Sequence, residues 1–491
     1  MPPKSLRVSK PRFAYLLLLS LILVGALLLV NCGSTSVQFI SNPPRGTASV
    51  SISDPPSCRA PAGSFKHVYV TITSVQAHLN ASATDSSPGW QEFAPQLASQ
   101  PMQLDLLSTA QTGCVLAQLA SNVTLPSGDY QQFRLILLPN SPAAGTPVPS
   151  NNACGSQGFN CLVLSDDSVH LLNLSSQANT GLKIPPGQIA DGAVRVAAGQ
   201  HVDINIDFNT CASIVLQGTA QYRLRPTLTA GQVSATSSGI SGKVLDSATL
   251  LPITGGQVLV AVEQADSTGV ERILMQTAAD ANGNFNFCPL PSGTYDVVTV
   301  ATDGAGVAYA ATVAFNVPSG TALGNVPIVA QSGTSTSAGT IQGVVTASNA
   351  GAGAAIDAAM SAQQTIQLPG GVTRHVAIPL QGASTVNVAT VGSPASVVCP
   401  ANTFCEQYTL VVPASNLSFG TFAMSGTTFS APAPGDVLFR VQAHAFRPLS
   451  GGTPMCSPSS LTQDKDSADQ PLKVTSGATV TAKRLDLIGC S

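Results

Sequence analysis

Hydrophobic and polar residues alternate along most of this chain, in short runs broken by Gly, Pro, Asn and Ser. In His67-Val-Tyr-Val-Thr-Ile-Thr73, Val68, Val70 and Ile72 point one way, and His67, Tyr69, Thr71 and Thr73 the other. In His201-Val-Asp-Ile-Asn-Ile-Asp-Phe208, Val202, Ile204, Ile206 and Phe208 form the apolar face. A period of two marks a half-buried strand. Helical periodicity is scarce, and Leu104 to Leu119 is the one stretch read as a short helix or helical loop. The pattern predicts an all-β protein of tandem β-sandwich domains joined by short Ser/Thr/Gly linkers, after an N-terminal signal or anchor helix.

That N-terminal element stands apart from the rest. Lys4, Arg7, Lys10 and Arg12 precede Phe13–Val30, eighteen mostly apolar residues ending at Asn31 and Cys32. A basic flank followed by an apolar run is an export signal, and this run is long enough to span a bilayer. The bases precede the run, so the remainder is expected outside the cytoplasm. Leu29-Val-Asn-Cys32 resembles a bacterial lipoprotein signal, which implies lipidation of Cys32. Asn31 departs from that family's small residue before the Cys, so an uncleaved single-span anchor is the other reading. Gly33, a non-Asp residue after the Cys, implies sorting to the outer membrane. The expected address is therefore exported and membrane-anchored, at the outer membrane or surface of a bacterium.

Composition narrows the partners. Charged residues make up 9% of the chain, against roughly 25% in ordinary globular proteins. Beyond the N-terminal bases, 17 Lys and Arg face 24 Asp and Glu. No basic tract remains to grip a phosphate backbone, so nucleic-acid binding is disfavoured. Eleven Cys in an exported chain imply disulfides. Setting Cys32 aside leaves Cys58, Cys114, Cys154, Cys161, Cys211, Cys288, Cys399, Cys405, Cys456 and Cys490 as candidates. Local bridges are expected for Cys154 with Cys161 and for Cys399 with Cys405, and Cys456 is placed to pair with Cys490. The other four have no connectivity legible from spacing.

Polar stretches divide the chain. We read residues 1–31 as signal or anchor, 32–46 as tether, and 47–235, 239–331 and 340–491 as three β domains. The first resembles domain-of-unknown-function family 4382. The match rests on His67–His78, Gly89-Trp-Gln-Glu92, Leu104-Asp-Leu-Leu107, Gly128-Asp-Tyr130, Thr180–Gly187, Asp207-Phe208 and Tyr222-Arg-Leu-Arg-Pro226. That family carries no established activity. The second resembles the carboxypeptidase regulatory-like domain, a transthyretin-like sandwich, through Ile240–Val244, Asp280–Phe285 and Leu290–Tyr295. Its turn chemistry stands alone: Asn282-Gly283 suits positive φ in a tight turn, and Phe285 and Phe287 alternate into a core. The resemblance implies an accessory domain of starch-binding-like fold, and nothing matches the family's peptidase part. The third reads as a diverged, expanded copy of the second.

Catalytic and metal-binding patterns are absent. The chain has no HExxH, GxSxG elbow, P-loop, Rossmann glycine pattern or CxxC. His201, Asp203, Asn205 and Asp207 share a strand face and have metal-ligand chemistry, but read as a solvated outer face. Asp464-Lys-Asp466 with Asp469 resembles a calcium loop without the Gly and distal Glu of an EF-hand. Trp90, the only Trp, lies among turn residues and is a speculative sugar contact. The reading is a non-enzymatic envelope protein, without cofactor, that binds or adheres through its β-sandwich domains. Its partners are a membrane, through lipid or a single span, and a polysaccharide or envelope protein. Pure carbohydrate binding, an unrecognised hydrolase using His78, His170 or His201, and a structural envelope role are the alternatives. Sandwich end loops usually bind, so Pro139–Cys161 is the best place to look.

Overall fold

A run of short amphipathic strands can bury its apolar side only by stacking one sheet on another, and the computed structural model is built that way throughout. It describes residues 43–53, 59–60, 63–108, 117–174, 181–184, 188–189, 192–208, 210–217, 221–224, 228–233, 239–265, 271–290, 292–348, 356–368, 370–381, 388–391, 399–401, 403–446, 456 and 460–490. The Phe13–Val30 run and Cys32 lie outside these residues. Among the described residues, no helix is long and apolar enough to cross a membrane. Arg45–Ser491 forms one compact unit.

The first sandwich places a four-stranded sheet against a larger one. The four strands run Leu228–Val233, His201–Phe208, Arg45–Ser53, Ala117–Pro126. His201–Phe208 pairs with Arg45–Ser53 in parallel; the other pairs are antiparallel. The larger sheet is organised on the long strand Gly63–His78, which pairs with Cys161–Leu164 along its first half and with Gln132–Leu137 along its second, with Val169–Asn173 and Gln221–Leu224 following beyond Cys161–Leu164. A bulge between Ile72 and Ser74 switches the inward set from Val68, Val70 and Ile72 to Val75 and Ala77. Side chains alternate with period two, so a 16-residue strand keeps its apolar residues inside only through such a switch. Both sheets close on Val50, Ile52, Ile204, Ile206, Phe93 and Phe133.

The Leu104–Leu119 helix does not form among the described residues. Met102–Asp105 is a strand on the edge of Gly63–His78, and Ala117 begins another. Asp105 decides this: its carboxylate accepts the backbone N–H groups of Val68 and Leu107, which turns the chain straight after the strand.

The second sandwich joins Asn284–Phe287, Ile240–Asp246 and Ala322–Ile328 in one sheet. Glu271–Ala278, Gln257–Ala265, Thr294–Thr302 and Thr312–Pro318 form the other. Phe285 and Phe287 are buried between them. In the 280–284 turn only Gly283 has positive φ, and the Asp280 carboxylate holds the loop by accepting the Asn282 and Asn284 N–H groups. The third sandwich has Thr403–Val412 and Gly339–Ser348 in one sheet, and Ile356–Leu368, Val372–Ile378 and Arg440–Phe446 in the other. In all three sandwiches the opening strand has an antiparallel neighbour on one side and a parallel one on the other. The second and third are not separate bodies. Val298, Val300, Val313 and Phe315 pack in one core with Ile341, Met360, Tyr408 and Val441.

Candidate functional site

Inward alternation on Gly63–His78 sends His67, Tyr69 and Thr71 to its outer face. Ladder register extends that face across four strands. Tyr69 stands opposite Asp105 on one side and Cys161 on the other, and Cys161 stands opposite Leu171. The next rung runs His67, Val163, Val169. Val169 and Leu171 are 38% and 36% exposed, among the most open aliphatic side chains of this sandwich. The His67 and Tyr69 rings lie 5.6 Å apart at 26°. His67 Nδ1 donates to Asp105 Oδ2 at 2.7 Å, which fixes the imidazole. Desolvation first, and the Asp105 charge second, raise the Tyr69 phenol above its usual range. The result is an aromatic–aliphatic strip with a carboxylate and amides at its border.

The root of the Pro139–Cys161 loop meets this face and is held by a disulfide and side-chain amides. Cys154 and Cys161 are bridged with a Cα separation of 5.6 Å. Gln103, on the Thr71 rung, donates to Asn152 Oδ1 and to the Phe159 carbonyl, and accepts the Ala153 N–H. Asn140 Oδ1 accepts the Phe159 and Asn160 N–H groups, and Asn140 Nδ2 reaches the Leu172 carbonyl. Buried Asn160 donates to the Leu138 carbonyl and accepts the Thr71 N–H. Side-chain amides replace the backbone ladder here, so the loop root is fixed while Val148 near its tip stays exposed.

Bridges also join Cys399 to Cys405 and Cys456 to Cys490, and Cys288 is disulfide-bonded. Cys58 and Cys114 lie outside the described residues, as does the Cys211 side chain. Such bridges belong to oxidising compartments.

Trp90 lies further along the same sheet. Its Nε1–H donates to the Thr84 carbonyl at 2.9 Å, the Arg134 guanidinium sits 4.0 Å from the ring centre, and His78 meets it edge-on. One ring face is therefore occupied from within the protein. Arg134 also donates to Gln76, and burial lowers its pKa although Asp85 and Glu92 act to raise it. Lys183 pairs with Asp85 at 2.7 Å beside this group.

The His201 face differs from the solvated face expected. Thr47, Ser49, Ser51 and Ser53 oppose His201, Asp203, Asn205 and Asp207 rung by rung. The Thr47, Ser51 and Ser53 hydroxyls bond the side chains facing them, as in Ser53 Oγ to Asp207 Oδ1 at 3.0 Å, and the Ser49 hydroxyl bonds His201. The face closes over towards Asp207, which is 3% exposed. Desolvation pushes its carboxyl up to about 7, against the opposing pull of the Ser53 hydroxyl. Thr47, His201 and Asp203 do make a hydroxyl–imidazole–carboxylate chain, but on the open face of paired strands. His78 is committed to structure, accepting the Asn80 N–H and donating to the Pro88 carbonyl, and His170 bonds Ser168. In the 464–469 loop the Asp466 carboxylate accepts the Ala468 and Gln470 N–H groups and Asp469 pairs with Lys483. Among the described residues, no group of three His, Cys, Asp or Glu side chains is placed to hold a metal.

Residues 45–226 match the family model described as Domain of unknown function (DUF4382). No curated protein matches the chain. Solved structures with some similarity include a leucine-rich repeat protein from Bacteroides thetaiotaomicron, at 9% identity over 52% of this chain and 27% of that one, TM-score 0.20. A candidate adhesin from Bacteroides ovatus matches at 10% identity over 52% of this chain and 93% of its own, TM-score 0.15. The shaft pilin SpaA of Lactobacillus rhamnosus GG matches at 11% identity over 59% and 98%, TM-score 0.16. The chain spans about a quarter of the repeat protein's length.

Proposed function

We propose that this is a non-enzymatic binding protein of the bacterial envelope, which holds its partner on the Tyr69–Leu171 face beside the Pro139–Cys161 loop. The observation that carries the reading is the loop root. A disulfide and at least three side-chain amides hold it in place beside half-buried His67 and Tyr69 and exposed Val169 and Leu171. Pre-organisation of this kind lowers the ordering cost of binding, and exposed apolar strips with polar borders are a mark of contact surfaces. The low charge favours a neutral partner, an envelope protein or a polysaccharide. In this reading Cys32 is lipidated and the second segment is a carboxypeptidase regulatory-like accessory sandwich.

The test uses the exported chain made under oxidising conditions. Retention is measured by affinity electrophoresis against plant, microbial and peptidoglycan-derived polysaccharides, and by crosslinking on intact cells. Binding that falls at least about tenfold in Tyr69→Ser or Leu171→Asp, the loss of a ~1.4 kcal/mol contact, supports the face. Binding lost in Trp90→Ala alone moves the site to the Trp90–Arg134 group and a sugar ligand. Binding indifferent to all three refutes the assignment.

A further inference from the structure

Strand Thr312–Pro318 ends the second sandwich's own sheet, yet its outer edge is covered. Ser418–Thr421, from the third segment, pairs with it in parallel, Thr312 opposite Ser418 through Phe315 opposite Thr421. Ser418 N donates to the Ala311 carbonyl and Phe422 N to the Phe315 carbonyl. The covering piece is itself folded back. Ser430 N donates to the Phe419 carbonyl, and Phe419 N to Ser430 Oγ. A Cβ at Gly420 would lie 2.3 Å from the Thr428 carbonyl oxygen, so only glycine admits the returning backbone. Phe419 meets the buried Phe315 ring at 6.2 Å, and Phe422 and Phe429 pack on the second core. The root is tied to the third sandwich: buried Gln364 donates to the Ser415 carbonyl and accepts the Leu417 N–H.

We propose that residues 415–430 are a strap, whose role is to close the Thr312–Pro318 edge against pairing with another chain. An uncovered strand edge presents a row of backbone donors and acceptors and is a template for association. Here the edge lies next to Val313 and Phe315, both buried in the core shared with the third segment. The strap supplies the missing strand, three aromatic side chains and a physical link between the two sandwiches.

The test is hydrogen exchange and light scattering on the full chain carrying Gly420→Val, with Phe419→Ala as the milder variant. Gly420→Val forces the two halves of the strap, residues 418–421 and the returning 428–430, apart. Exchange in peptides spanning 312–318 should accelerate by roughly tenfold or more, and a concentration-dependent dimer or larger species should appear. A synthetic peptide of residues 415–430, added in trans, should slow that exchange and return the variant to monomer. If Gly420→Val fails to fold, Phe419→Ala with added peptide is read in the same way. Fast exchange in 415–430 with unchanged protection at 312–318 and a monomeric chain would overturn the proposal. So would edge exposure that the peptide does not reverse.

Discussion

Asp207 is 3% exposed on the face where Arg45–Ser53 meets His201–Phe208, and its carboxyl is pushed up to about 7. The unfolded chain releases that proton near 3.9. Between these values the folded state binds the proton and the unfolded state does not, so this group's contribution is complete below about 4 and is lost as pH rises through about 7. From pH 5 to pH 8 the loss comes to ~2.5 kcal/mol, at 1.36 kcal/mol per unit. Asp207→Asn carries a neutral side chain of the same shape and should not titrate. The readout is already in the molecule: Trp90 is the only Trp and belongs to the same sandwich. Its fluorescence follows urea unfolding of that unit, and midpoints at pH 5 and pH 8 are converted with a common slope. Every other group is common to the two proteins, so the difference between them isolates Asp207. The wild type should lose ~2.5 kcal/mol more than Asp207→Asn across this window. Equal pH slopes in the two proteins would refute the buried, protonated carboxyl.

Three further outcomes are expected. Cys154→Ser should free the Pro139–Cys161 loop, costing ~2.5 kcal/mol for so short a closed loop and speeding amide exchange there before elsewhere. Gly283→Ala should destabilise the second sandwich by roughly 1–3 kcal/mol, because its Cβ would lie 2.2 Å from the Val244 carbonyl oxygen at φ +82°; calorimetry reads this. Phe315→Ala should cost ~3–5 kcal/mol and, since its ring lies in the core shared with the third segment, shift the second and third sandwiches together in a thermal scan.

Strand placement was legible where alternation was strict. His67–Thr73 and His201–Phe208 put the expected residues inside, because period-two burial needs only local sequence. Disulfides between near neighbours were legible for the same reason. What failed depended on distant chain. Leu104–Leu119 had helical spacing, but Asp105 found Val68 N and the Gly63–His78 edge. His201–Asp207 looked like a water-facing ladder, and nothing local told that four hydroxyls on Arg45–Ser53 would face it in register. The candidate face was half visible: the loop was singled out by length and composition, and Tyr69 lay on a recognised outward position. Val169 and Leu171 were missed, since two exposed aliphatics in a short strand are indistinguishable in sequence from core. The strap was invisible, because its pairing joins residues a hundred positions apart.

The placement of Arg45–Ser53 has a mechanical consequence. The first described strand is an interior one, bonded to His201–Phe208 in parallel and to Ala117–Pro126 antiparallel. Tension entering at Arg45 runs along the strand and loads both ladders in shear, so their hydrogen bonds must break together rather than unzip singly. Force spectroscopy pulling between Arg45 and the Pro139–Cys161 loop should record one abrupt high-force rupture of this sandwich. Attachment at Pro126, whose edge strand can peel, should give way at visibly lower force. A partner held on the loop would then be gripped against tension that enters at Arg45.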